Sequence, residues 1–249
     1  MRTSLAIVLA SATLASTSVG GTIDLVATIR DFTPATNPNF QRGVIQTDKG
    51  IVQTSLGADR KPVYAPGSNP TIVSEATFDQ FYRDVPGVNI TIPKTLTLTE
   101  TSAGSGVYRY SNNAYFPING EGFGNYASGR NYHFTTEIKA NFTYMGGETF
   151  NFTGDDDVWV FINRQLVIDL GGVHGPQSAS VALDTLGLTV GQTYDFDIFH
   201  AERQTTGSNF TFETTLTLAS SVPEPSTIAS ACVGLAGLGL IARVRRARA

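Results

Sequence analysis

From Phe210 to Leu218 the chain sets Phe210, Phe212, Thr214, Leu216 and Leu218 on one side and Thr211, Glu213, Thr215 and Thr217 on the other. Successive side chains of an extended strand point to opposite faces, so a period of two describes a strand with one face in a core and one in water. The same β-branched and aromatic texture recurs over Thr22 to Ile29, Phe134 to Phe142, Glu148 to Phe152, Val158 to Ile162, Leu166 to Leu170 and Tyr194 to Phe199. Asn163-Arg164, between two of these runs, has the makings of a tight hairpin turn, because asparagine tolerates positive φ. Only Ser74 to Tyr82 reads as helical, with Ser74 as its cap and Phe78, Phe81 and Tyr82 on one face. Pro62 to Pro70 and Asn119 to Gly129 read as loops. The expected fold is all-β, a β-sandwich or jelly roll.

The two ends read as targeting segments. Met1-Arg2 supplies a positive charge, Leu5 to Leu14 is a short apolar run and small residues follow to Gly21, the layout of a secretory signal peptide. At the other end Pro223-Glu224-Pro225 leads into Thr227 to Ala242, which carries no charge, and then into Arg243, Arg245, Arg246 and Arg248. That run is about as short as a membrane-spanning helix can be, and the arginines would stay on the cytoplasmic side. The combination resembles a PEP-CTERM sorting signal. The resemblance implies a precursor anchored in the inner membrane, processing by an exosortase-type enzyme near Pro223, Glu224 and Pro225, and a destination at the cell surface or in the extracellular matrix. The expected organisation is a signal peptide at 1–21, one β domain at 22–220 and a sorting segment with a single-span helix at 221–249.

Removing both ends changes the charge. The chain has 17 basic and 21 acidic residues; without Arg2, the four tail arginines and Glu224, 12 basic and 20 acidic remain, a net of about −8. Such a surface repels nucleic acid and suits cations. The one cysteine, Cys232, falls in the tail, so the 22–220 region has no disulfide and must hold together by packing or by bound metal.

Chemistry concentrates at Gly154-Asp155-Asp156-Asp157. Three adjacent carboxylates at the start of the apolar run Val158 to Ile162 repel one another. A hard cation with oxygen ligands, Ca²⁺ above all, would relieve the repulsion; a solvated acidic turn that discourages edge pairing accounts for the residues equally well. The spacing is not that of an EF-hand. Adjacent strand carboxylates point to opposite faces and make a poor glycosidase pair, and no Gly-x-Ser-x-Gly elbow, His-Glu-x-x-His helix, phosphate loop or nucleophilic cysteine is present, so no enzyme is expected. Trp159 reads as core; Asp195 and Asp197 read as an outward polar face.

Gly154 to Asn163, followed by Leu166 to His174, resembles the fibro-slime domain family, as do Tyr132-His133-Phe134, Phe199-His200-Ala201-Glu202-Arg203 and Ser208-Asn209-Phe210. That family is similar in turn to the protective-antigen-type β-sandwich of flocculin lectins. The resemblance implies that Asp155 and Asp156, joined by a cis peptide, and Asn209 on a later loop hold one calcium ion that coordinates sugar hydroxyls. Asp157 stands where the lectins usually have a small residue; it, His174 and His200 are further candidates to border the ligand. The expected function is a calcium-dependent carbohydrate-binding adhesin that meets extracellular polysaccharide or another glycan. The alternative is a structural matrix or biofilm protein in which calcium only staples loops.

Overall fold

The computed structural model describes residues 20–126 and 129–220. The expected signal peptide, apart from Gly20 and Gly21, and the whole expected C-terminal span lie outside the described residues, among which no helix is long and apolar enough to cross a membrane. The strands are β1 (Thr22–Asp31), β2 (Gln46–Thr47), β3 (Ile90–Glu100), β4 (Tyr108–Asn112), β5 (Phe134–Thr143), β6 (Thr149–Gly154), β7 (Asp157–Ile162), β8 (Gln165–Leu170), β9 (Gly172–Val173), β10 (Gln177–Ala182), β11 (Thr193–Glu202), β12 (Phe210–Thr214) and β13 (Ala219–Ser220). One antiparallel path runs β10-β6-β12-β4-β3-β1-β5-β11-β7-β8, with β13 beside β5; β2 pairs β9.

The path folds over on itself into two layers. Phe150 of β6 meets Phe196 of β11 with ring centroids 5.0 Å apart, and Phe210 of β12 meets His200 of β11 at 5.2 Å. The inward positions of both layers, among them Leu25, Ile29, Ile138, Val160, Ile198 and Phe212, form the main core. The β7–β8 hairpin turns at Asn163 and Arg164 with φ of 50° and 62°, the primed geometry that matches strand twist.

The segment between β1 and β3 is folded down over the outer face of β5, β11, β7 and β8. Its Phe32, Phe40, Ile51, Phe78 and Phe81 pack with Trp159, Phe161 and Phe199 into a second apolar cluster. The helix there is shorter than the sequence pattern suggests: α1 spans Glu75–Phe78, capped by Ser74, whose hydroxyl accepts from Thr77 N–H. Side chains take the carbonyls that a longer helix would use, the Asn37 amide donating to Thr77 and the Asn89 amide to Gln80 and Arg83. Phe81 and Tyr82 are thereby turned into the cluster.

Charges also join this segment to the sheet. Glu137 of β5, 4% exposed, accepts from Arg30 at 2.7 Å and Lys61 at 2.5 Å and lies 3.0 Å from Lys139. Arg60 reaches Asp195 at 3.1 Å and Asp197 at 2.9 Å. Asp195 and Asp197 do share the outward side of β11, but Asp197 is buried beneath Arg60 rather than in water. Burial pushes Asp197 up to about 6, with Arg60 pulling the other way.

Candidate functional site at one end of the sandwich

Three strand ends and two loops meet at one end. β6 ends at Gly154, whose neighbours leave no room for a side chain: a Cβ there would stand 2.6 Å from the Asn209 carbonyl oxygen. That close approach brings the β6–β7 loop against the start of β12. The Asp155-Asp156 peptide is cis. The Asn209 backbone N–H donates to Asp155 Oδ1 at 2.5 Å, and its side-chain amide donates to Asp155 Oδ2 at 2.9 Å. Asp155, Asp156 and Asn209 therefore come together, as the resemblance implies.

The three aspartates do different work. Asp156 bridges two loops, its Oδ1 accepting from His174 N–H and its Oδ2 from Arg203 N–H, each at 3.0 Å. Asp157 is fully buried and paired with the fully buried Arg203, which donates to its Oδ1 at 2.9 Å, while Gly172 N–H donates to the same oxygen at 2.7 Å. With Arg203 Nε also 2.5 Å from its Oδ2, Asp157 is held as an internal ion pair rather than offered to an outside ligand. His200 lies in the core; its Nε2–H donates to the Asp155 carbonyl at 2.7 Å, and burial pulls the ring down to about 4, so it is neutral at pH 7. Both ring nitrogens of His174 face carbonyl oxygens, those of Gly175 and Leu170, so this ring too is engaged locally.

The residue that sequence reasoning left at the margin is Glu202, the last of β11. It is 1% exposed and its Oε2 has no hydrogen-bond partner. Burial, together with the charges of Asp156 and Asp155, holds its carboxyl well above the usual carboxylate range. Burial raises Asp155 and Asp157 as well, and Asp156 to about 7. Four carboxyls thus share a small buried volume in which Arg203 supplies the nearest full positive charge. The signal for Arg203 and Glu202 was available in Ala201-Glu202-Arg203, two charges closing an apolar strand, but not its meaning, because the partners lie 45 or more residues away.

These residues fit a calcium ion. Each carboxylate oxygen of Asp155 and Asp156 accepts one backbone or amide hydrogen and keeps a lone pair, the donor set is hard oxygen, and an orphaned carboxylate oxygen stands beside it. Among the described residues no group of three or more His, Cys, Asp or Glu side chains forms a metal cluster, so such an ion would depend on the Asn209 amide and on ligands from outside the protein. Trp159, buried and donating to Asp169 at 3.1 Å, is no stacking platform.

The chain is similar to several known proteins. Residues 110–230 match the model of the PA14 domain, and residues 221–248 match the PEP-CTERM protein-sorting motif. Protein psiR of Dictyostelium discoideum is 44% identical over 211 aligned residues, covering 78% of this chain and 21% of that protein. Protein psiC of the same organism is 42% identical over 213, covering 79% and 41%. The chain thus spans between about a fifth and two fifths of the length of these curated relatives. Among solved structures, the PA14 domain of the MpAFP antifreeze protein superposes with a TM-score of 0.33 at 11% identity, covering 87% of this chain and 90% of that one. A PA14 sugar-binding domain from an RTX adhesin gives 0.33 and 11%, covering 70% and 91%. The second half of the chain is thus similar to the PA14 domain over residues 110–230, and its last residues, 221–248, are similar to the PEP-CTERM protein-sorting motif.

Proposed function

We propose that this is an exported, surface-directed protein whose PA14 domain binds carbohydrate through a calcium ion held by Asp155, Asp156 and Asn209. The sorting motif supports the destination, and the RTX adhesin domain is a sugar binder by its own description. The observation that carries the site is the convergence of Asp155, Asp156 and Asn209 beside the unpartnered Oε2 of Glu202. Calcium, when bound, supplies coordination positions that neighbouring sugar hydroxyls fill. The chain's own residues fix the loops: Asn209 ties β12 to Asp155, and Asp156 ties the β8–β10 and β11–β12 connections together. Arg203 neutralises Asp157, so the carboxyls left to meet a cation are those of Asp155 and Asp156, with Glu202, which burial keeps protonated, giving up its proton only if an ion binds. The role is binding rather than catalysis, with an extracellular polysaccharide or other glycan as partner and an exosortase-type enzyme acting on the tail. A single calcium-held sugar binds weakly, so adhesion comes from many copies on one surface.

The test is a glycan array probed with the full chain in calcium and again in chelator, alongside the Asp155→Ala, Asp156→Ala double variant. Chelator-sensitive binding that the variant loses, with its far-ultraviolet circular dichroism unchanged, supports the reading. Glycan binding that survives both chelator and the variant overturns it. A raised melting temperature with calcium and no glycan would favour the loop-stapling role, for which the two-loop bridge made by Asp156 is the specific observation.

A further inference from the structure

The described residues of the connection between β4 and β5, 113–126 and 129–133, cross the same end of the sandwich as the acidic loop. It leaves beside the site, since Asn112 pairs with Phe210 and Tyr115 N–H donates to the Ser208 carbonyl at 3.0 Å. It rejoins the fold beside the site as well, since Phe134 pairs with Glu202. Between these points it exposes two aromatic rings, Phe123 at 42% and Tyr126 at 40%, whereas Tyr115, Tyr132 and Phe134 are buried and Phe116 is half-buried.

The Tyr126 ring and the Phe123 backbone are held in place. Tyr126 packs edge-on against His133 with centroids 4.5 Å apart, and its N–H donates to the Arg130 carbonyl at 2.8 Å. His133 Nε2 meets Gln41 Oε1 at 3.1 Å, Gln41 N–H donates to the Arg203 carbonyl at 2.8 Å, and its side-chain amide donates to Thr205 at 3.4 Å. Contacts therefore run without a break from Tyr126 to the β11–β12 loop that carries Asn209. Phe123 N–H donates at 2.5 Å to Asp31, whose other oxygen accepts from Asn131. The neighbouring strand ends, in order, are those of β7 with the acidic loop, β11 with Arg203, β5 with His133, and β1 with Asp31. At about 4.8 Å per strand, Tyr126's support lies roughly 10 Å from Asp156 and Phe123's roughly 14 Å. An extended glycan can span such distances, and an exposed aromatic ring is a flat apolar surface of the kind a pyranose covers.

We propose that the β4–β5 connection is a second wall of the binding site, on which Tyr126 and then Phe123 receive the second and later rings of a glycan whose first ring sits at Asp155, Asp156 and Asn209. The protein then selects extended chains over single sugars. This rests on the calcium-site reading above and adds the class of ligand to it.

The test is calorimetric titration of the full chain, in calcium, with glucose, mannose and galactose and with their di- to tetrasaccharides. The monosaccharide that binds identifies the series. In that series the tetrasaccharide binds about tenfold more tightly than the monosaccharide or better. Tyr126→Ala removes most of that gain while calcium affinity and monosaccharide affinity stay as in the wild type, and Tyr126→Phe retains it. A wild-type protein that binds all lengths equally, or a Tyr126→Ala, Phe123→Ala variant that keeps the full gain, overturns the wall. Absence of any calcium-dependent sugar binding in the wild type overturns the site reading and the wall with it.

Discussion

The two outer faces of the sandwich are built from the same strand pattern and meet different fates. On β12 and its neighbours the outward side chains, such as Thr211 paired across to Thr153 and Ser111, stand in or near solvent, and their hydroxyls bond to one another or to the next strand. On β5, β11 and β7 the outward side chains are Glu137, Asp197, Trp159 and Phe161, covered by the segment between β1 and β3. A face open to water settles its strands through alternation alone. A covered face needs a second apolar cluster, and its charges need partners brought from far along the chain. The covered face should therefore carry stability that the open face does not.

The largest effect that would break or sharpen this contrast is Trp159→Ala. It empties a fully buried ring site in the second cluster and is expected to cost about 4 kcal/mol in urea unfolding. Glu137→Gln comes next, leaving Arg30 and Lys61 with a neutral partner under the covering segment, and is expected to cost about 3 kcal/mol by the same measurement. Asp197 gives a third handle through pH. Its folded value lies near 6 against an ordinary 3.8, so the fold binds that proton more tightly than the unfolded chain does. Its contribution is full below pH 4 and is lost as pH rises through 6, on the order of 2 kcal/mol, and an Asp197→Asn variant should flatten that part of the stability profile measured by denaturation between pH 4 and 7. Smallest is Thr211→Val on the open face, expected to change stability by no more than about 0.5 kcal/mol. A Thr211 cost as large as that of Trp159 would erase the distinction.

The same contrast explains what was legible in the sequence. The alternation at Phe210 to Thr214 stands out because one side of β12 faces the core and the other does not. Val158 to Ile162 reads as a strand from its β-branched and aromatic run, but nothing local says that Trp159 and Phe161 face a different cluster from Val158 and Val160. The sequence reading marks no strand at β3, β4 or β10. In β3 only Leu96 and Leu98 are buried and Pro93 interrupts the run, and β10 has mostly small side chains and no buried residue, so neither shows a run of large apolar side chains. The helix reading extends over Asp79 to Tyr82, where the structure has no helix, and there the Asn37 amide, 40 residues away, takes the Thr77 carbonyl.

At the site, the run Gly154 to Asp157 and the later Asn209 were visible through family resemblance, and the structure brings Asp155, Asp156 and Asn209 into contact. The division of labour was not visible. Asp157 has the same side chain as its neighbours, and only the fold reveals that Arg203 holds it inside while Asp155 and Asp156 stay beside the unpartnered Oε2 of Glu202.

The most direct measurement is a calorimetric calcium titration of the full chain, followed by thermal melting with and without the ion. The account predicts uptake of one ion per chain and a melting temperature that rises with calcium, since at a hundredfold excess over Kd a bound ligand adds about 2.7 kcal/mol to the folded state. No heat of binding and an unchanged melting temperature would mean that the four carboxyls are balanced by the protein alone, and would contradict it.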